Sequence, residues 1–287
     1  MARNSGSRLG KELGATETPS DDSIAAAMQS QSEGLSFTTP TEFVELPSMG
    51  RCYPEDHPLH GVESIEIKYM TAKEEDILSS KTLIKQGIAI ERFLKNIIID
   101  KSVKTDKLLS GDRNAILVAA RINGYGAEYS TKIVCPACMN SSDYEFDLSE
   151  VEIREFNSEP DDAVWTENGT LVATTPITEV EVEMRPMTGK DEMYISRLQE
   201  SRKRKKLPET PLTDLLKTIV VAVNGNETKS LIGEFLEVIP ARDSKHLRTI
   251  YEKNIPNIDM TQEFECSSCN YGTDLEVPFT TDFFWPK

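Results

Sequence analysis

The sequence predicts an α+β protein built as two tandem, divergent copies of one strand–helices–β-hairpin unit, preceded by a flexible tail. Three observations predict it. Strand-type alternation gives way to helical periodicity twice along the chain, the same landmarks recur in the same order, and each series ends in a CxxC pair flanked by strand-like residues. The expected boundaries are a tail over 1–40, a first repeat over 41–156 and a second over 157–287.

Residues 1–40 are rich in Ser, Thr, Gly, Ala and Glu and poor in large apolar groups. Such a stretch cannot bury enough surface to offset its ordering entropy, so it reads as a tail that folds only against a partner. Within it, Ser23 to Gln29 could become a helix. From residue 41, Phe43, Val44 and Leu46 indicate a strand ended by Pro47 and the Ser48–Met49–Gly50 turn. Ile65, Ile67 and Tyr69 alternate with charged residues, as on a half-buried strand. Thr71 with Glu74 is a T-x-x-E capping box opening a helix. A second helix is expected from Ile88 to Ile99, with Ile90, Phe93, Leu94 and Ile97 on one face. A third follows Ser110–Gly111–Asp112 and stops near Gly124. Tyr129–Val134, the CPAC turn and Tyr144–Leu148 then read as strand, knuckle and strand.

The second series repeats these landmarks. Val180, Val182 and Met184 alternate like the earlier strand. Met187–Thr188–Gly189–Lys190–Asp191 echoes Met70–Thr71–Ala72–Lys73–Glu74 at a displacement of 117, and Leu215–Val221 echoes Phe93–Ile99 at 122. Asp243 stands before Cys266 as Asp112 stands before Cys135, and Phe264–Val277 repeats Ile133–Phe146, both at 131. The upward drift implies insertions at the Arg202–Lys206 run and around Gly225.

A CxxC turn on a β-hairpin points two sulfurs to one side, and two such turns complete the tetrahedral four-sulfur shell of structural zinc. No histidine lies near either pair in sequence, so the expected site is one Zn2+ held by Cys135, Cys138, Cys266 and Cys269, pinning the copies about a pseudo-two-fold axis. Metal-free thiols, a redox dithiol or an iron–sulfur cluster are the alternatives, although redox CxxC pairs open helices rather than join strands. A closed site of this kind leaves no position for catalysis, and the sequence carries no GxSxG, HExxH or phosphate-cradling glycine loop. No enzyme is expected. Cys52 has no counterpart in the second copy.

With 48 Asp and Glu against 32 Lys and Arg, the net charge of −16 disfavours binding along a nucleic-acid backbone. No segment suggests a membrane span or a secretory signal. The Arg202–Lys206 run, at the end of a helix and just before Leu207–Pro208, reads as a solvated linker, and His57 and His60 as polar surface. Asp112–Arg113 and Arg242–Asp243 read as helix-capping pairs. The terminal Phe283, Phe284 and Trp285 either close the core of the second copy or anchor the chain on another subunit.

Taken together, Leu46–Pro47–Ser48–Met49–Gly50 with Tyr53, Met70–Thr71, Ser110–Gly111–Asp112–Arg113, Arg121–Ile122–Asn123–Gly124–Tyr125–Gly126, the first CxxC hairpin with its trailing Asp147–Leu148, and the closing Phe283–Phe284–Trp285–Pro286 resemble the baseplate hub proteins of T-even-type contractile-tail bacteriophages. The resemblance covers 41–156 best and the last residues more loosely. It implies a late, non-enzymatic virion protein in the central hub or tip of the tail baseplate, assembled in the host cytoplasm with other tail proteins as hetero-oligomeric partners. Members of that family are expected to carry one unit where this chain carries two. A zinc-ribbon adaptor of transcription or replication, and a tail-assembly chaperone absent from the finished virion, are the alternative readings.

Overall fold

The computed structural model describes residues 39–278 and 281–284. The expected tail up to Thr38, its Ser23–Gln29 segment, and Trp285 fall outside these residues. Strands β1 (Thr41–Glu45) and β2 (Ser64–Lys68) pair antiparallel, with Val44, Ile65 and Ile67 buried and Phe43 facing outward. Helices α1 (Ala72–Ser79), α2 (Lys81–Gln86) and α3 (Ala89–Ile97) follow. The expected Ile88–Ile99 helix ends at Ile97 because Ile98 and Ile99 turn out as extended chain. Ile98 bridges Ile67, and the Ile99 amide donates to the Glu66 carbonyl at 3.1 Å. β-branched residues fit an extended segment on β2 better than a last helical turn. A 3-10 turn (Thr105–Lys107) leads into α4 (Ser110–Tyr125), then the hairpin β3 (Glu128–Val134) and β4 (Ser141–Asp147).

After β5 (Glu152–Arg154), a four-stranded antiparallel sheet forms in the order β6 (Ala163–Trp165), β7 (Leu171–Thr174), β8 (Glu181–Met184) and β9 (Val220–Val223). Between β8 and β9 run α5 (Gly189–Lys205) and α6 (Pro211–Ile219). Then come α7 (Lys229–Val238), α8 (Ala241–Asn254) and β10 (Asn257–Asp259), followed by the hairpin β11 (Thr261–Glu265) and β12 (Gly272–Glu276). The chain is thus mixed helix and antiparallel sheet, as an α+β protein should be. Helix α7 stands where the landmark spacing widens from 122 to 131. No described helix is long and apolar enough to cross a membrane.

Two apolar cores form. One is aliphatic, built on Leu171, Val182, Met184, Leu216, Ile219 and Leu247. The other is rich in aromatics and gathers Phe93, Tyr129 and Phe146 with Phe264, Val277, Phe283 and Phe284. The terminal aromatics therefore close the core formed by the first half of the chain, not the second. Arg121, buried in α4, holds them there: its Nε donates to the Phe283 carbonyl at 2.6 Å, while its two terminal nitrogens donate to the carbonyls of Gly126 and Glu128. The Phe284 ring lies 5.3 Å from Phe93 and the Phe283 ring 5.2 Å from Tyr129.

The halves are joined by backbone pairing. β5 pairs antiparallel with β10, the Ser110 amide donates to the Met187 carbonyl at 2.8 Å, and the Gly189 amide donates to Leu108 at 3.0 Å. Gly111 lets α4 approach β10: a Cβ there would sit 2.2 Å from the Pro256 carbonyl oxygen.

The Arg202–Lys206 run stands at a helix end with Lys203 to Lys206 exposed, as expected, but it is the last turn of the helix and not a linker beyond it. Arg202 to Lys205 form the last turn of α5, and Lys206 caps it in the left-handed conformation. Cations suit a helix C-terminus, where the unpaired carbonyls carry partial negative charge. Arg202 also pairs with the buried Asp214 of α6.

Candidate metal centre

Each CxxC sits in the tip of a β-hairpin, and the two tips share one local geometry. In the first, the Cys135 amide donates to the Asn140 carbonyl and the Met139 amide donates back to Cys135, both at 2.9 Å. In the second, Cys266 donates to Tyr271 at 3.0 Å and Asn270 to Cys266 at 2.9 Å. The residue after the last cysteine takes a left-handed conformation in both, with φ of 58° at Met139 and 55° at Asn270. That kink folds the chain back so the second strand can start.

The hairpins lie against each other. The Tyr144 ring rests on Phe146 of its own strand and Phe264 of the other hairpin, at 4.9 and 5.0 Å, and its hydroxyl donates to the Glu263 carbonyl. Asn140 donates to the Ser268 hydroxyl at 2.6 Å, and the Gln262 amide exchanges hydrogen bonds with the backbone of Asp147. None of these contacts is signalled by the CxxC pattern. Only the 131-residue displacement, which aligns the two hairpins, points to a shared interface.

The result brings together all four cysteines named from sequence. Cys135 Sγ lies 3.8 Å from Cys269 Sγ, Cys138 Sγ lies 3.8 Å from Cys266 Sγ, and the four sulfurs fall within 4.8 Å of one another. A tetrahedron with metal–sulfur bonds of about 2.3 Å has sulfur–sulfur edges of about 3.8 Å. Disulfide sulfurs sit about 2.05 Å apart, so these are free thiols in a metal-sized array. Cys135 and Cys266 are buried; Cys138 and Cys269 reach the surface. Amide hydrogens of Ser268 and Cys269 aimed at Cys266 hold its thiol down to about 7. Against the Tyr271 amide, burial and the neighbouring sulfurs push Cys269 up to about 12, so without a cation the array favours one thiolate among protonated thiols. Four sulfurs so arranged could bind a metal ion and would leave it no open coordination position.

The other residues singled out in the sequence stand elsewhere. Cys52 is buried in the first core, and burial, helped by Asp112, pushes its thiol up to about 12. His57 stacks on Tyr53 at 4.3 Å, and His60 bonds through Nδ1 to the Tyr53 carbonyl at 2.7 Å.

Asp112 and Asp243 do not cap their own helices. Both are fully buried and both tie down a turn between strands. Asp112 accepts the Ser48 amide, the Ser48 hydroxyl and the Tyr53 hydroxyl, at 2.9, 2.7 and 2.8 Å. Asp243 accepts the amides of Ile177 and Thr178 and the Thr178 hydroxyl, at 2.9, 3.0 and 2.8 Å. A carboxylate offers about four lone-pair sites, enough for three donors, whereas a helix cap would use fewer.

A family model described as T4 bacteriophage base plate protein matches residues 40–285. The match runs through both cysteine hairpins, well beyond the 41–156 stretch on which the sequence resemblance was strongest. No curated protein and no solved structure matches. The description fits a structural role beside other tail proteins in the virion. A match over most of the chain, on an α+β fold closed by paired hairpins, places it: the chain belongs to the T4 bacteriophage base plate protein family.

Proposed function

We propose that this chain is a non-enzymatic scaffold of the central hub or tip of a contractile-tail baseplate, in which one zinc ion staples two homologous lobes. The observation that carries the reading is the family match across both hairpins. The lobes correspond to 41–156 and 157–287, with the second hairpin and the chain end lent to the first core.

The two-copy reading rests on recurring geometry. Cys135···Cys269 and Cys138···Cys266 exchange under the 131-residue displacement, as a pseudo-two-fold axis through the metal requires, and their separations are equal. Thr71 and Thr188 both form capping boxes with the acid three residues on. Each acid also pairs with a cation from the preceding strand end: Lys68 with Glu74, and Arg185 with Asp191. Lys68 and Arg185 are themselves 117 residues apart, like the methionines that follow them.

In mechanism, the metal fixes the two hairpins at one angle, so surfaces on the two lobes meet neighbouring hetero-oligomeric tail subunits in a set register. Zinc suits four thiolates and needs no redox partner. Two measurements test this. Metal analysis of purified protein should give one equivalent of zinc, and none should refute the staple. Tagged protein should be found at the centre of the baseplate in purified particles. Its absence from particles would favour a chaperone that leaves after assembly. Tight, salt-dependent binding to DNA or RNA would favour a zinc-ribbon adaptor instead.

A further inference from the structure

A cavity of about 530 Å³ opens where the two halves meet, within the size range of small-ligand and peptide-anchor pockets. Its walls come from the Cys52–Pro58 stretch, the segment from Ser102 to Leu109, the β6–β7 turn and the end of β8. The turn reaches so far in because Gly169, at a φ of +73°, packs on Cys52, where a Cβ would lie 2.6 Å from the Cys52 Cα. Pro54, Pro58, Pro186 and Leu109 make much of the lining apolar.

The polar groups on this wall are mostly donors. Lys104 and Lys107 make no ion pair among the described residues. His57 accepts the Leu59 amide on Nδ1 and stacks on Tyr53, and its Nε2 is buried away from the cavity with no hydrogen-bond partner among the described residues. Arg185 is already engaged by Asp191, and Asp56 is the one carboxylate in the lining. A local excess of unpaired cations on a chain of net charge −16 marks this wall as complementary to an acid.

We propose that this cavity receives an acidic peptide segment of another tail protein, seating an Asp or Glu side chain against Lys104 and Lys107 and an apolar neighbour against the prolines. A free phosphate would leave the apolar walls uncovered, and a nucleic acid, charged at every residue, would meet far more of the chain's overall repulsion than a single peptide carboxylate does. The inference deepens the scaffold reading and rests on it for the partner being a tail protein.

The test selects binders to the purified full chain from a library of random synthetic peptides and measures them by fluorescence anisotropy. Selected sequences should share an Asp or Glu next to an apolar residue. Binding should weaken about tenfold in the double variant Lys104→Glu/Lys107→Glu, and should be lost in Asn168→Trp, which fills the mouth, while circular dichroism and Tm stay unchanged. The salt dependence of binding should fall with the lysines. A basic or uncharged consensus, no enriched peptide, or affinity that survives both variants overturns the proposal. So does selection of sequences matching only this chain's own residues 1–38. The readout is binding to the isolated chain, so its failure is separate from absence of the chain in particles, which would sink the baseplate reading.

Discussion

The two halves of this molecule share their wiring and differ in their cores. In each, a strand pair feeds a Thr-capped helix, a later helix returns an extended segment to the second strand, and a buried aspartate near the start of a further helix, α4 in the first half and α8 beyond α7 in the second, fastens the strand turn. The first core, however, is filled with aromatics and is closed by both hairpins and the chain end, whereas the second is aliphatic and lies against a four-stranded sheet. The difference teaches that similar wiring need not give self-contained cores: with the four sulfurs drawn together, the second hairpin packs on the first core and not on the one its own half of the chain builds. The second half adds one strand, β6, at the free edge of β7, and lays Ala163 and Trp165 against the aliphatic core.

The largest expected effect breaks the comparison at its shared point. On the proposed zinc staple, replacing Cys135 or Cys266 by Ser should abolish zinc binding and lower Tm more than any other single change considered below, with Cys52→Ala as a control that keeps the metal. Calorimetry and metal analysis on the same samples check this. Equal Tm with and without a chelator would mean that the paired aromatics, not the metal, hold the hairpins together.

Next comes the asymmetry. Arg121→Met removes a guanidinium that satisfies three carbonyls around the chain end and should cost about 3 kcal/mol in denaturant unfolding. The loss should come mainly from the first core. Hydrogen exchange should show faster opening around Phe283, Phe93 and Tyr129 while Leu216 and Leu247 stay protected.

The two aspartates sharpen the comparison through pH. Burial pushes the Asp112 carboxyl up, despite its bonds from Ser48 and Tyr53. Burial also acts on Asp243, but bonds from Thr178 and Ile177 outweigh it and hold that carboxyl below the ordinary aspartate value. The folded state therefore keeps the Asp112 proton where the unfolded chain has lost it, so that group's contribution falls as pH rises from the unfolded value through the raised one. For Asp243 the contribution is present above the ordinary aspartate range and lost as pH falls through the lowered value. Asp243→Asn should flatten the acid limb of a stability–pH curve, and Asp112→Asn should leave that limb in place.

The smallest effects lie at the capping boxes. Thr71→Ala and Thr188→Ala should each cost about 1 kcal/mol, and they should add, because the boxes open different helices and share no partner. A marked departure from additivity would mean that the two halves of the chain are coupled.

Much of this was legible beforehand because the signals were local. Thr71 and Thr188 with their acids announce helix starts, alternating Ile65 and Ile67 announce a strand, and two CxxC pairs announce four thiols. The strands β6 and β7 leave no such signal, since three or four residues give alternation too little length to register. The aspartates were misread for a related reason: position at a helix start is visible in sequence, but the turn that approaches from 64 residues away is not.

By itself, then, the sequence determined the kinds of element, their order, the recurrence of the landmarks and the identity of the four thiols. These follow from backbone sterics, side-chain periodicity and the chemistry of sulfur, all set within a few residues. The tertiary structure alone decided which core the second hairpin and terminal aromatics would fill, where Asp112 and Asp243 would aim, and where the halves would leave a cavity. Those outcomes depend on surfaces far apart in the chain competing for the same neighbours, and no local pattern records who wins.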